Sequence, residues 1–112
     1  MDVRITTVTA RVLRAFLGNP QNPQYGFDLM QLLGLSSGSL YPILARLERA
    51  GWIEGRKEDV DAVREGRPAR RYYLLTAEGA RDARLALAAL SEELRPPSPI
   101  MLPGLRSDRG SA

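Results

Sequence analysis

Ser36-Ser37-Gly38-Ser39-Leu40-Tyr41-Pro42-Ile43-Leu44-Ala45-Arg46-Leu47-Glu48-Arg49-Ala50-Gly51 is the stretch on which the fold turns. Ser36 and Ser37 suit a helix start, because a serine oxygen accepts a bond from an orphan first-turn amide. Gly51 suits its end, since glycine enters the left-handed conformation that closes a helix. Between them Leu40, Leu44 and Leu47 recur at helical spacing and make one apolar stripe. Ser37, Ser39, Arg46 and Arg49 occupy the polar side. Pro42 leaves the cap open. With Ser39 as the cap, the proline falls in the first turn, where its missing N–H costs little. With Ser36 or Ser37, a kink near Gly38 is expected.

Upstream, Thr6 or Thr7 can cap a first helix running to about Leu17, with Val8, Val12, Leu13, Phe16 and Leu17 toward a core. Residues 18 to 24 hold a glycine and two prolines and break it. A short second helix is expected from about Tyr25 to Leu33, burying Phe27, Met30 and Leu33. Gly34-Leu35 then makes a tight turn into the quoted stretch, which is the helix-turn-helix pattern. Downstream, Trp52–Lys57 and Arg70–Leu75 read as strands joined by a long exposed loop. Thr76 caps a fourth helix with Glu78 in its first turn, where the dipole favours negative charge. That helix runs to about Leu94 and is ended by Pro96, Pro97 and Pro99. The order α-α-α-β-β-α is a winged helix-turn-helix: mainly α, with a small β-hairpin and a C-terminal helix. The expected division is 1–75 for the winged unit, 76–95 for a dimerisation helix, and 96–112 for a disordered tail.

Composition narrows the chemistry. The chain has 112 residues, 16 Lys and Arg against 13 Asp and Glu, and neither cysteine nor histidine. Thiolate and imidazole chemistry, disulfides and a Cys/His metal site are therefore excluded. No carboxylate pair or phosphate-binding glycine loop stands out. Neither an enzyme nor a cofactor or metal is expected. No apolar run approaches the roughly twenty residues that span a bilayer, and no secretion signal opens the chain, so a cytoplasmic location without membrane contact is expected.

Double-stranded DNA is the partner these features fit. Ser36, Ser37, Gly38, Ser39, Tyr41 and Arg46 lie at the end of the third helix that would enter a major groove. Hydroxyls can bond phosphate oxygens, and arginine can fork onto guanine. Tyr41 reads equally as a core aromatic whose hydroxyl reaches the surface, and Arg49 reads as a surface pair with Glu48 or a neighbouring carboxylate. The wing adds Arg64, Arg67, Arg70 and Arg71 against Glu65 alone, a net charge of +3 that matches the whole chain's excess. Such a wing would follow a minor groove or backbone. Arg70 and Arg71 alternate across their strand, so one of them faces DNA. The alternative is a winged helix that docks an acidic protein partner and has no specific DNA target. The Ser-Gly-Ser cluster beside arginine favours DNA, since a protein-docking face would expose more apolar residues.

The fourth helix has an apolar seam at Ala80, Ala83, Leu87, Leu90 and Leu94, widened by Leu85 and Ala86. Its expected partner is the same helix of a second subunit, giving a two-fold homodimer. Folding back on its own domain is the other option.

Tyr25-Gly26-Phe27-Asp28-Leu29, Ser37-Gly38-Ser39-Leu40-Tyr41-Pro42-Ile43-Leu44, Leu47-Glu48-Arg49-Ala50-Gly51, Gly66-Arg67-Pro68-Ala69-Arg70-Arg71-Tyr72-Tyr73 and Leu75-Thr76-Ala77-Glu78-Gly79 together resemble PadR-type transcriptional regulators. The resemblance covers about residues 5 to 95. It implies a homodimeric repressor on a palindromic operator, dimerised through the C-terminal helix with help from the first. It also implies DNA contacts at Ser37, Gly38, Ser39 and Tyr41, and a wing tip at Gly66, Arg67 and Pro68. Two departures stand out. The segment between Tyr25-Gly26 and Ser36 is several residues shorter than usual, and Leu75 replaces a basic residue found in many members. Some relatives take small molecules at the dimer interface. No ligand site is carried over, and no inducer is named by these residues.

Overall fold

The computed structural model describes residues 3 to 99, so most of the expected tail, from residue 100 onward, lies outside the described residues. Helix α1 spans Thr7–Leu17, strand β1 Gln24–Tyr25, helix α2 Gly26–Leu33 and helix α3 Ser37–Arg49. Strand β2 spans Ile53–Lys57, the single turn α4 Ala62–Glu65, strand β3 Arg71–Leu75 and helix α5 Ala77–Glu93. The architecture is a winged helix-turn-helix, mostly helical, with a small antiparallel sheet.

Local chemistry starts and stops each helix. Thr6 Oγ1 accepts the Thr9 N–H at 3.1 Å and caps α1. Gly34 ends α2 at φ 67°, and the Leu35 N–H returns to the Met30 carbonyl at 3.0 Å. Gly51 repeats the device after α3 at φ 80°, with the Trp52 N–H on the Leu47 carbonyl at 2.9 Å. Both are left-handed glycine caps, and each aims the chain into its next element. The α1 residue Arg11 donates to the Leu33 carbonyl at 2.7 Å, so it satisfies the end of α2 and ties α1 to the turn.

Ser36 is the cap of α3, its Oγ accepting the Ser39 N–H at 3.2 Å. Pro42 therefore sits in the second turn, and α3 continues through it from Ser37 to Arg49. The missing N–H leaves the Gly38 carbonyl without its helical partner. Both residues are exposed, so water can serve that carbonyl and the cost stays small.

The core gathers Val12, Leu13 and Phe16 of α1, Leu29 of α2, and Leu40, Ile43, Leu44 and Leu47 of α3. Trp52, just before β2, closes it together with Ile53 and Tyr73 of the sheet. Phe27 departs from expectation. It is 54% exposed, and Leu29 takes the buried place. The eight-residue α2 is too short for periodicity to select its inner face. Packing on α1 and α3 makes that choice.

The sheet also exceeds the expected hairpin. It has three strands in the order β1-β3-β2, all antiparallel. Gln24 pairs with Tyr73 and Tyr25 with Tyr72, so β3 is the central strand. Two residues are too few to show an alternation, and their partners are some fifty positions away in sequence. The wing loop contains α4, capped by the Asp61 carboxylate, which accepts the Val63 and Arg64 N–H groups at 3.1 and 3.3 Å.

Thr76 caps α5 through a 2.8 Å bond from the Gly79 N–H, while its hydroxyl donates to the Gly51 carbonyl at 2.8 Å. A Cβ on Gly79 would overlap the Trp52 carbonyl, so only glycine lets α5 come this close. The first turns of α5 thereby join the core, and Ala83 is 0% exposed. Among the described residues, no helix is long and apolar enough to cross a membrane.

Candidate nucleic-acid interface

The outward side of α3 carries the expected polar residues. Ser36, Ser37, Gly38, Ser39, Tyr41, Arg46 and Arg49 are all exposed, while Leu40, Ile43, Leu44 and Leu47 are buried behind them. Ser39, Pro42, Arg46 and Arg49 follow at intervals of three, four and three, so they form one continuous exposed stripe. Neither Arg46 nor Arg49 enters an ion pair among the described residues. Arg49 thus belongs to the outward stripe, against its reading as a partner of Glu48. The Ser36 hydroxyl also meets the Ser39 hydroxyl at 3.2 Å, which orients the two oxygens at the helix start.

Glu48 serves another purpose. Its Oε2 accepts the Gly55 N–H at 3.2 Å and faces an Arg71 nitrogen at 3.4 Å. One carboxylate therefore binds the end of α3 to both long strands. Gly55 permits this, since a Cβ there would stand 2.6 Å from Arg71 Nη2 and 2.8 Å from Glu48 Oε2. Arg71 also donates from Nε to the Tyr73 hydroxyl at 3.2 Å. Burial pushes the Tyr73 phenol above its ordinary 10, and the bond from Arg71 opposes that shift.

Tyr41 lies over Gly26, where any Cβ would overlap its hydroxyl. Its ring packs on the first residue of α2 while its edge stays at the surface. Two fragments far apart in sequence, Tyr25-Gly26 and Tyr41-Pro42, thus meet and fix how α2 sits on α3. Gly26, Gly55 and Glu48 were not singled out as site residues from the sequence. A glycine within or beside an element is the one signal that could have pointed to a close approach.

The wing differs from the expectation of free cations. Glu58 sits at its neck, with a side chain only 11% exposed. Its Oε1 accepts Arg67 Nη1 at 2.7 Å and the Arg70 N–H at 2.8 Å, with Arg70 Nε at 3.7 Å. The bond from Arg67, then that from the Arg70 backbone, holds this carboxyl at about 2, well below its ordinary 4.5. The Arg70 guanidinium stands 4.8 Å from the centre of the Tyr25 ring, which in turn packs on Tyr72 at 5.6 Å. Arg70 and Arg71 do point to opposite faces of β3, one toward Tyr25 and the other toward Glu48. Arg64 and Gly66 stand exposed at the tip, Gly66 in the left-handed conformation at φ 70°.

The α5 seam divides along its length. Ala83 lies in the chain's own core, which corrects its assignment to a surface between subunits. Ala80, Leu87 and Leu90 are half-buried, and Leu94 is 68% exposed. Ala10 and Arg14 of α1 with Leu87, Leu90, Leu94 and Pro96 border an open groove of about 660 Å³. A second groove of about 440 Å³ lies across Leu90, between Ile5, Ala86 and Ala89. Among the described residues, no group of three or more acids could hold a metal ion.

Comparison with known proteins agrees with this geometry. Residues 16–85 match the model of the transcriptional regulator PadR-like family. A transcriptional regulator homologue from Pyrococcus horikoshii OT3 superposes with a TM-score of 0.65 at 20% identity, over 80% of this chain and 81% of the other. A PadR-family transcriptional regulator from Eggerthella lenta DSM 2243 gives 0.60 at 25% identity, over 78% of each chain. Overoxidized AbfR, solved bound to DNA, gives 0.63 at 29% identity. The match covers 80% of this chain but 60% of AbfR. No curated protein matches the chain in sequence. The matched family and the first two of these structures are transcriptional regulators. With its family model spanning most of the winged unit and the start of α5, this chain belongs to the PadR-like family of transcriptional regulators.

Proposed function

We propose that the chain is a sequence-specific DNA-binding repressor that acts in the cytoplasm as a homodimer on a palindromic operator. The observation that carries this reading is the exposed stripe Ser39, Pro42, Arg46 and Arg49, backed by a fully buried leucine face. Such a helix is rigidly seated and presents outward hydroxyls, and guanidiniums that are in no ion pair among the described residues, as reading base edges requires. Arg46 and Arg49 fork onto guanine or phosphate. Ser36, Ser37, Ser39 and the Gly38 backbone approach phosphate at the helix start. Tyr41 contributes from the edge while it holds α2 in place. Arg64 and Gly66 bring the wing tip to the backbone or minor groove, and Arg67, Arg70 and Arg71 shape the wing behind them. The DNA complex of the similar AbfR supports DNA as the partner.

Dimerisation falls to the outer half of α5. Leu87, Leu90 and Leu94 and the two grooves flanking Leu90 leave apolar surface that a second α5 can cover. Residues 1–75 then carry DNA recognition and 76–95 carry dimerisation. Two-fold symmetry places the α3 helices in half-sites one turn apart, about 34 Å. Selection of bound duplexes from a random pool tests this directly. An inverted repeat with that spacing is expected, and a pool that never enriches would sink the reading.

A further inference from the structure

The wing sequence from residue 58 to 71 contains Glu58, Asp59, Asp61 and Glu65 as well as Arg64, Arg67, Arg70 and Arg71, so the whole loop is neutral. Asp61 meets Arg64 only through the backbone N–H, and among the described residues Glu58 is the one of those acids that pairs with a wing guanidinium. Its oxygen meets Arg67 Nη1, the Arg70 N–H and Arg70 Nε, while its own N–H donates to the Arg70 carbonyl at 2.9 Å. These are the bonds a DNA phosphate would offer the same groups: an anionic oxygen accepting from a guanidinium and a backbone amide. The carboxylate is also shielded, so its hold on Arg67 is less screened than that of an exposed pair.

We propose that Glu58 is a built-in competitor of phosphate, which withholds Arg67 and Arg70 from the DNA backbone and so restrains sequence-independent binding. The proposal rests on the DNA-binding reading above and assigns Glu58 a positioning and specificity role within it. Non-specific affinity grows with the number of phosphates neutralised. A wing with three free arginines beside α3 would strengthen binding to every duplex. Tying two of them to Glu58 leaves discrimination to α3 and gives the wing a fixed shape. With the carboxyl held at about 2, no pH near neutrality releases the arginines.

Glu58→Gln keeps the size of the side chain and removes its charge. It is expected to bind a random duplex roughly 3- to 10-fold more tightly at low salt, with a salt slope steeper by about 0.9 for each arginine released. The ratio of operator to random affinity falls accordingly. Glu65→Gln is the control, because it changes net charge equally at an exposed carboxylate that is in no ion pair among the described residues. A Glu58→Gln effect no larger than that of Glu65→Gln overturns the proposal, as does weaker binding by a variant whose circular dichroism is unchanged. Should Glu58→Gln not fold, Arg67→Gln decides instead: the salt slope stays unchanged if Arg67 is withheld, and a slope flattened by about 0.9 overturns the idea. Retention on heparin separates the two readings. A chain that binds no duplex in any form refutes DNA recognition. Later elution of Glu58→Gln than of Glu65→Gln still supports the competitor, and equal elution removes it.

Discussion

Helix α3 and the wing both carry arginines at the proposed DNA surface, yet they hold them in opposite ways. Arg46 and Arg49 project from a helix whose other face is buried, with no acid engaging them among the described residues. Arg67, Arg70 and Arg71 are taken up by Glu58, the Tyr25 ring and Glu48. The difference separates charge that is present from charge that is available. A count over residues 64 to 71 makes that part of the wing the stronger cation, while the folded geometry makes α3 the freer one. Affinity and specificity are thus less divided between wing and helix than the sequence implies.

The contrast can be broken at several points. Replacing Ser39 and Arg46 together with alanine should cost the most. The base-edge contact of Arg46 is worth about 1–3 kcal/mol and Ser39 adds only a phosphate contact, so operator affinity should fall on the order of 10- to 100-fold with the melting temperature unchanged. Fluorescence anisotropy on operator and random duplexes reads both terms, and an intact operator affinity would remove α3 as the reading element. Gly26→Ala should come next. It displaces Tyr41 from α2, and overpacking of this kind costs about 1–3 kcal/mol of stability. Chemical denaturation would measure that loss, and operator affinity should fall with it because the angle between α2 and α3 changes.

Arg64→Gln sharpens the wing side. Arg64 is an exposed tip cation in no ion pair among the described residues, so operator and random duplex should weaken alike, with a salt slope flatter by about 0.9. Affinity measured across a salt series checks it. Unchanged slopes would mean that the wing tip does not reach phosphate.

The smallest effect concerns acid. Glu58 titrates at about 2 in the folded chain against an ordinary 4.5, so its contribution to stability is fully present above 4.5. It is lost as pH falls from there through 2. Melting curves between those limits should fall more steeply for the wild type than for Glu58→Gln. Parallel curves would show that the neck bonds add nothing to stability.

Much of the fold can be read before any coordinate is known. Ser36, Thr76, Gly34 and Gly51 act within a few residues of themselves, through capping bonds and left-handed turns that any chain context would favour. The stripe Leu40, Leu44 and Leu47 likewise declares the buried face of α3, and with it the exposed position of Ser39 and Arg46. Other features resist such reading. Strand β1 is two residues long and exists because β3 offers a free edge. Phe27 and Leu29 are both apolar within a helix of eight residues, and only the neighbouring helices choose between them. Ala83 follows a dimer-like spacing, but Gly79 lets α5 approach Trp52 and draws Ala83 into the core.

By itself the sequence determined the order of the helices, the caps that bound them and the family to which the motifs belong. These depend on local bonds and on periodicity, which short-range physics sets. Tertiary structure alone decided which arginines are free. Glu58 and Arg67 are nine positions apart, and Glu48 and Arg71 are twenty-three. Their pairing depends on the hairpin register and on the seat of α3 against the sheet. A guanidinium's availability is set by the acid that folding brings to it, and no count of charges along the chain contains that distance.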